Sequence, residues 1–288
     1  MKKIVICGGN PLHGEVIVHS AKNSLLPILA AVVLAQSEVV LYDCPPLRDV
    51  LTMLELLEDI GCRCSFEQGT VHIDPSGINN CKMNDRLMHL LRSSIFILGP
   101  LVARMGRAEL GYPGGCDIGI RPIDLHLKGL RDLGVEVQEE NGHIICTCSK
   151  LKGGEVYLDY PSVGATENIM MAATLAEGAT VITNAAKEPE IVDLQNFINT
   201  MGGRISGAGT GRIVIHGTSV LNGCEYTAMP DRIVTGTYMI ASAITGGEVY
   251  IKNAFKEHVS VLIGKLKDGG CQVYEKNGGL VVKGTERL

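Results

Sequence analysis

Four times in this sequence an aliphatic residue is followed, four positions on, by a glycine that closes a helix-like pattern. The pairs are Leu57 and Gly61, Leu130 and Gly134, Ile198 and Gly202, and Leu266 and Gly270. Glycine in that place ends a helix in a left-handed cap, a backbone conformation in which any other residue meets a Cβ clash. The pairs recur at a spacing of about seventy residues. Self-similarity at a fixed period marks an internal repeat, and a repeat narrows the fold more than any local propensity does.

Around each glycine the same order of patterns returns. In the first copy an apolar helix after Ser20 steps into a strand at 39–41, a helix covers 49–60, and strands at 62–66 and 70–73 close a hairpin. The second copy reads as a long helix over 87–104, a glycine-rich loop over 111–125, a helix over 123–133, and strands at 135–137 and 143–146 joined by Asn141-Gly142. The third has helices over 165–176 and 191–201 and strands at 180–182, 204–206 and 212–215. The fourth starts at Asp231, with a strand at 249–251, a helix reaching Lys267, and strands at 272–274 and 280–282. Each copy is a βαβαβ-like unit, so the expected class is α/β, with helices packed on mixed sheet. Helical stretches as apolar as 25–34 and 169–175 are expected to be buried on most sides.

Composition sets limits on partners. A chain of 288 residues holds two domains or one large repetitive one. It has no Trp and 4% aromatics, which argues against a base-stacking or sugar-stacking surface. A net charge of −5 gives no general attraction to nucleic acid or to an anionic membrane, so an anionic ligand must be held by local arginines and lysines. The longest apolar run, residues 25–35 with Pro27 inside it, is well short of the roughly 18 residues a membrane span needs. The N-terminal Met1-Lys2-Lys3 precedes too short an apolar stretch for a secretory signal. Ten cysteines are scattered with no C-x-x-C pair, and Cys62/Cys64 and Cys146/Cys148 each share one face of a strand. Such thiols fit a reduced, cytoplasmic protein better than a disulfide framework or a zinc site. The eight histidines form no H-E-x-x-H pattern and have no carboxylate at metal spacing, so neither metal nor cofactor is expected. The run Gly207-Ala208-Gly209-Thr210-Gly211 lacks the spacing of a nucleotide loop and reads as a hairpin turn. There is no G-x-S-x-G elbow and no Walker loop.

The loop of the second copy carries the candidate chemistry. In Gly111-Tyr112-Pro113-Gly114-Gly115-Cys116-Asp117-Ile118-Gly119-Ile120-Arg121-Pro122-Ile123-Asp124-Leu125, one thiol stands among four glycines, and Arg121 follows it by five positions. Two readings stand side by side. The loop is a lid that carries an acid or nucleophile beside an anion clamp, or it is a tight turn around an inert, buried cysteine. Lys22 alone reads as a solvated side chain at a helix start, and Arg92 could pair with Asp85 or Glu109.

Several motifs occur together: Ala21-Lys22-Asn23-Ser24, Leu98-Gly99-Pro100-Leu101, Pro113-Gly114-Gly115-Cys116, Gly119-Ile120-Arg121-Pro122-Ile123-Asp124-Leu125-His126, Ser162-Val163-Gly164-Ala165-Thr166, Glu188-Pro189-Glu190-Ile191-Val192-Asp193 and Pro230-Asp231-Arg232-Ile233. With them the chain resembles, over essentially its whole length, the UDP-N-acetylglucosamine 1-carboxyvinyltransferases of the enolpyruvyl transferase family. The resemblance implies inside-out α/β barrels built from six βαβαββ units in two domains. Residues 22–229 are then a complete three-unit domain, and 1–21 with 230–288 are part of the second, one unit present and two missing. The implied reaction moves the enolpyruvyl group of phosphoenolpyruvate to the 3-hydroxyl of UDP-N-acetylglucosamine and releases phosphate, the first committed step of peptidoglycan synthesis.

The same resemblance implies roles for residues. Cys116 is the general acid on the lid and the target of fosfomycin, its thiolate favoured by the neighbouring Arg121. Lys22, Asn23 and Arg121 hold phosphoenolpyruvate, and fixed cations there stabilise developing charge. Arg92 meets the diphosphate of UDP-N-acetylglucosamine. The stretch Arg121, Pro122, Ile123, Asp124 and Leu125 cradles uracil and ribose, and Ser162, Val163 and Gly164 offer N–H groups at a helix start. His126, beside this stretch, is a weaker candidate. The family's proton-accepting carboxylate and further arginines are expected beyond Leu288, so a complementing C-terminal chain is a possible partner. A catalytically degenerate UDP-N-acetylglucosamine binder is the alternative.

Overall fold

A computed structural model describes residues 3–114 and 122–285. The chain divides into two compact units, one of Lys22–Met229 and one of Met1–Ala21 with Pro230–Leu288. Strand β1 (His13–Ile17) belongs to the smaller unit. The larger unit then runs α1 (Lys22–Ala31), β2 (Val39–Tyr42), α2 (Arg48–Asp59), β3 (Arg63–Glu67) and β4 (Thr70–Asp74). Next come α3 (Asp85–Leu90), a 3-10 turn Arg92–Ile97, α4 (Leu98–Met105), β5 (Arg107–Gly111), α5 (Asp124–Asp132), β6 (Glu136–Glu140) and β7 (His143–Thr147). A third set follows with β8 (Glu155–Tyr157), α6 (Val163–Ala173), β9 (Ala179–Thr183), α7 (Pro189–Thr200), β10 (Arg204–Ser206), β11 (Arg212–His216) and β12 (Glu225–Thr227). The smaller unit continues with α8 (Arg232–Ile244), β13 (Glu248–Lys252), α9 (Ser260–Asp268), β14 (Gln272–Lys276) and β15 (Gly279–Lys283).

Each copy of the repeat builds its own sheet: β12-β2-β4-β3, β5-β7-β6, β10-β11-β9-β8 and β1-β13-β15-β14. In three of them a strand joins in parallel and the rest is an antiparallel meander, as β12 on β2, β8 on β9 and β1 on β13. In the second copy a single parallel bridge, Lys82 to Glu109, takes the place of that strand. The sheets remain separate, so the α/β class holds while no closed barrel forms among the described residues. Helices are inside: α1 is buried from Ser24 to Ala31 and α6 from Ala165 to Ala173. Sheet residues alternate, as in β11, whose Ile213 and Ile215 are buried between exposed Arg212 and His216.

The capping glycines do what the repeat requires. Gly61, Gly134, Gly202 and Gly270 all have positive φ, between 88° and 107°. A second recurring device follows the first inner strand of three copies, where Asp43, Asn184 and Asn253 take left-handed φ of 54°, 59° and 55°. Asn and Asp tolerate that conformation better than other side chains. In the second copy Tyr112 holds this place and the connection to α5 is longer, so the glycine-rich loop is an expanded strand-to-helix connection of the repeat.

One element differs from expectation. The helix read over 87–104 is three pieces, because Leu91 is extended (φ −134°, ψ 120°) between α3 and the 3-10 turn. Ser94 explains the break: its Oγ donates to the Leu91 carbonyl at 2.6 Å and the Met88 carbonyl at 3.2 Å. Serine competes in this way with regular helical bonding. The run 207–211 is the turn between the paired β10 and β11, as read. No helix among the described residues is long and apolar enough to cross a membrane.

Candidate functional site

The helix starts of the larger unit meet at one end. Ser24, in the first turn of α1, donates to Asp193 of α7. Thr166, in the first turn of α6, accepts the Ala186 N–H just before α7 at 3.2 Å. Gly164 in that turn lies against the ring of His126 in the first turn of α5; a Cβ on Gly164 would lie 3.2 Å from Cε1 and 3.3 Å from Nε2. Helix starts gathered in this way turn unpaired N–H groups toward one region, which suits an anionic ligand.

Asp193 anchors this end. Its carboxylate accepts from Ser24 Oγ, from the Tyr226 hydroxyl at 2.6 Å and from the Met229 N–H at 2.9 Å. With three donors the carboxylate fixes the start of α1, where Lys22 and Asn23 stand. Asn23 is exposed and Lys22 half-exposed, with its Nζ 3.0 Å from Asp49 Oδ2 in the first turn of α2. Lys22 is therefore an ion-paired cation in the ligand-free chain.

Arg92 opens the 3-10 turn, and Ser162 caps α6 by accepting the Ala165 N–H at 3.4 Å. Glu109 and Asp85, the alternative partners of Arg92, each have another partner. Glu109 pairs with Lys82 at 2.7 Å and Arg107 at 3.0 Å, and Asp85 lies 3.5 Å from His143 Nε2. Burial and the field of the Arg92 guanidinium push the His126 imidazole down to about 4, so the ring is neutral at physiological pH. Ile123 and Leu125 are buried at the start of α5, while Pro122 and Asp124 are exposed. The structure therefore brings His126 at the start of α5 against Gly164 at the start of α6, with Arg92 near enough to act on the His126 ring. Cys116 and Arg121 lie outside the described residues. Up to that point the loop is anchored by the Gly114 N–H, which donates to the Met88 carbonyl at 3.0 Å.

The family described as EPSP synthase (3-phosphoshikimate 1-carboxyvinyltransferase) matches residues 6–288. Over 288 residues the chain is 49% identical to UDP-N-acetylglucosamine 1-carboxyvinyltransferase of Halothermothrix orenii, covering all of this chain and 69% of that protein. The chain belongs to the enolpyruvyl transferase family. It is also 56% identical over 277 residues to UDP-N-acetylglucosamine 1-carboxyvinyltransferase 2 of Caldanaerobacter subterraneus subsp. tengcongensis, covering 96% of this chain and 66% of that one. Among solved structures, the enolpyruvyl transferase NikO from Streptomyces tendae superposes with a TM-score of 0.86 at 22% identity, covering 97% of this chain and 67% of that one. EPSP synthase from Acinetobacter baumannii gives 0.74 at 21%, covering 96% and 64%. These two likenesses establish the enolpyruvyl transferase fold. The chain spans about two thirds of the length of the curated relatives it matches.

Sequence reasoning missed the buried polar residues of the inner helices α6 and α7. Glu167 and Asn168 are 1% and 0% exposed, and Glu190 of α7 is 3% exposed. Burial, then Glu190 and Glu188, pushes the Glu167 carboxyl well above the usual carboxylate range, so it is held as the neutral acid. The signal was available: three adjacent polar residues, Thr166, Glu167 and Asn168, inside an otherwise apolar helix. The described thiols differ in exposure. Cys7 is exposed, because residues 3–12 form no regular element and bury nothing. Burial pushes Cys44, Cys62, Cys64 and Cys146 up to about 12, which makes them poor nucleophiles.

Proposed function

We propose that this chain carries the nucleotide-sugar half of a UDP-N-acetylglucosamine 1-carboxyvinyltransferase, which adds the enolpyruvyl group of phosphoenolpyruvate to the sugar 3-hydroxyl and releases phosphate. One observation carries the reading. Of the residues that the family resemblance assigns to the diphosphate, Gly164 at the capped start of α6 lies against the ring of His126 at the start of α5, and the Arg92 guanidinium is near enough to act on that ring. A cation beside free helix N–H groups suits a diphosphate. On this reading the start of α5, with Pro122, Ile123, Asp124 and Leu125, offers backbone groups to uracil and ribose.

In this reading Lys22 leaves Asp49 to meet the phosphate of phosphoenolpyruvate, and Asn23 donates beside it. Cys116 protonates the methylene carbon as the sugar oxygen adds to C2 and gives its hydroxyl proton to the carboxylate expected beyond Leu288; phosphate then leaves the tetrahedral adduct together with a proton of the new methyl group, which restores the enol ether double bond. Arg121 steadies the charge of that adduct. The product commits the nucleotide sugar to cell-wall synthesis, and the enzyme works in the cytoplasm.

Titration calorimetry with UDP-N-acetylglucosamine tests the reading. Saturable heat is expected, with affinity lower in Arg92→Ala by roughly tenfold or more, the usual worth of a charged hydrogen bond. No heat at millimolar ligand from folded protein, or equal affinity in the variant, overturns it.

A further inference from the structure

Asn168 is wholly buried in α6, and its amide makes three bonds at once. The Gly99 N–H donates to Oδ1 at 2.7 Å, and Nδ2 donates to the Ile95 carbonyl at 2.9 Å. A backbone N–H can only donate and a carbonyl can only accept, so these two bonds settle which end of the amide is nitrogen. The second Nδ2 hydrogen faces His126 Nδ1 at 3.0 Å. Nδ1 must then accept, and the proton of the neutral ring sits on Nε2.

Two glycines keep the space for this arrangement. A Cβ on Gly99 would lie 2.2 Å from Asn168 Oδ1 and would break the contact that orients the amide. A Cβ on Gly164 would press on the His126 ring at Cε1 and Nε2. The Nε2 edge of His126 thus lies at the second residue of α6, next to the Ser162 cap.

We propose that Asn168 is a positioning residue that fixes His126 as a neutral imidazole presenting its Nε2–H, at the start of α6, to an anionic oxygen of the nucleotide sugar. The proposal rests on the assignment of that end to the diphosphate. An imidazole free to exchange tautomers spends part of its time offering a lone pair to an anion, which repels it. Fixing the proton removes the mismatched form and leaves a donor beside the Arg92 cation. Aspartate at 168 reverses the arrangement, because a carboxylate accepts from Nδ1–H and draws the proton to that side.

Nitrogen-15 NMR of the histidine rings at neutral pH tests this, with the His126 signals assigned from their loss in His126→Gln. The expected result is a proton on Nε2 and none on Nδ1 in the unsubstituted chain, a measurement that does not depend on any variant folding. A proton on Nδ1 overturns the proposal. Added UDP-N-acetylglucosamine is expected to shift the Nε2–H resonance; heat of binding with that resonance unmoved overturns the presentation to ligand. Absence of any binding heat overturns the site assignment and this step with it, while the tautomer itself is still read independently. In folded Asn168→Asp the proton is expected on Nδ1, with affinity roughly tenfold or more lower. Unchanged affinity with the proton moved overturns the coupling of tautomer to binding.

Discussion

Helices α1 and α8 open the first and fourth copies of the same repeat, and both are rich in aliphatic residues. Their surroundings differ. Helix α1 is buried from Ser24 to Ala31, whereas α8 buries Thr235, Gly236, Met239, Ser242 and Ala243 and exposes Ile233, Val234, Tyr238, Ile240 and Ile244. Helix α1 packs on α2, α6, α7 and the 3-10 turn Arg92–Ile97, elements of all three copies in the larger unit. Helix α8 packs on β13, β15 and α9 of its own copy. Composition is a property of the copy, and burial is a property of its neighbours, as in other repeat architectures.

The largest test of this comparison is mutational. Ile28→Ala in α1 removes a fully buried side chain and should cost about 2–5 kcal/mol. Ile244→Ala in α8, at a position 68% exposed, should change stability by no more than about 0.5 kcal/mol. Denaturant unfolding of both variants, with hydrogen exchange to show that α8 amides open before those of α1, checks the pair. Equal costs would mean that α8 is covered in solution and that the contrast is not one of neighbours.

A second test uses acidity, because buried ionisable groups lie in the larger unit. Among the described residues the buried polar ones of the smaller unit are Ser20, Thr235 and Ser242, whereas the larger holds His126, Glu167, Glu190 and Asp193. His126 is depressed from 6.5 to about 4 by burial and Arg92. Between those pH values the unfolded chain binds the proton and the folded one does not, so stability is lost as pH falls through the window, by about 3 kcal/mol in all. Glu167 has the opposite sign. Its folded pKa is raised above 4.5, so the folded chain holds the extra proton and stability declines as pH rises above that value. Glu167→Gln should therefore gain on the unsubstituted chain as pH rises above 4.5. Exchange-derived opening energies across that range should slope for α6 amides and stay flat for α8; a parallel response would place the titrating groups elsewhere.

How much of this was legible follows the same division between what is local and what depends on neighbours. The caps at Gly61, Gly134, Gly202 and Gly270, and the Asn141-Gly142 turn, were readable because a positive φ leaves its mark on one or two residues. The break at Leu91 was not, because Ser94 satisfies helical carbonyls with its own hydroxyl and leaves the apolar period intact. At the site, Ser162 announced a helix start, and the motif resemblance pointed to Arg92 and Gly164. The link from Asn168 to His126 crosses 42 positions and depends on clearance at Gly99, which no spacing rule reveals. The ion pair of Lys22 with Asp49 joins two helix starts and was equally hidden.

The smallest effect is the one expected to be alike in both regions. Gly202 and Gly270 cap equivalent helices of the third and fourth copies with φ of 105° and 90°. A Cβ at Gly202 would meet nothing within 4 Å, and one at Gly270 would approach only the Thr285 methyl at 3.8 Å. Alanine at either place is thus opposed by backbone strain alone, about 1–2 kcal/mol, offset in part by the smaller conformational freedom of the unfolded chain. Gly202→Ala and Gly270→Ala should each cost about 1 kcal/mol and should agree, even though Ile28→Ala and Ile244→Ala do not. Gly61→Ala gives the contrasting case, because its Cβ would lie 2.4 Å from the Gly77 carbonyl oxygen and adds a steric cost to the strain. Exchange-derived opening energies for the helix that each glycine caps provide the measurement. A markedly larger cost at Gly202 than at Gly270 would show that even the cap draws its stability from adjoining copies, and the separation between local and neighbour-dependent terms would fail.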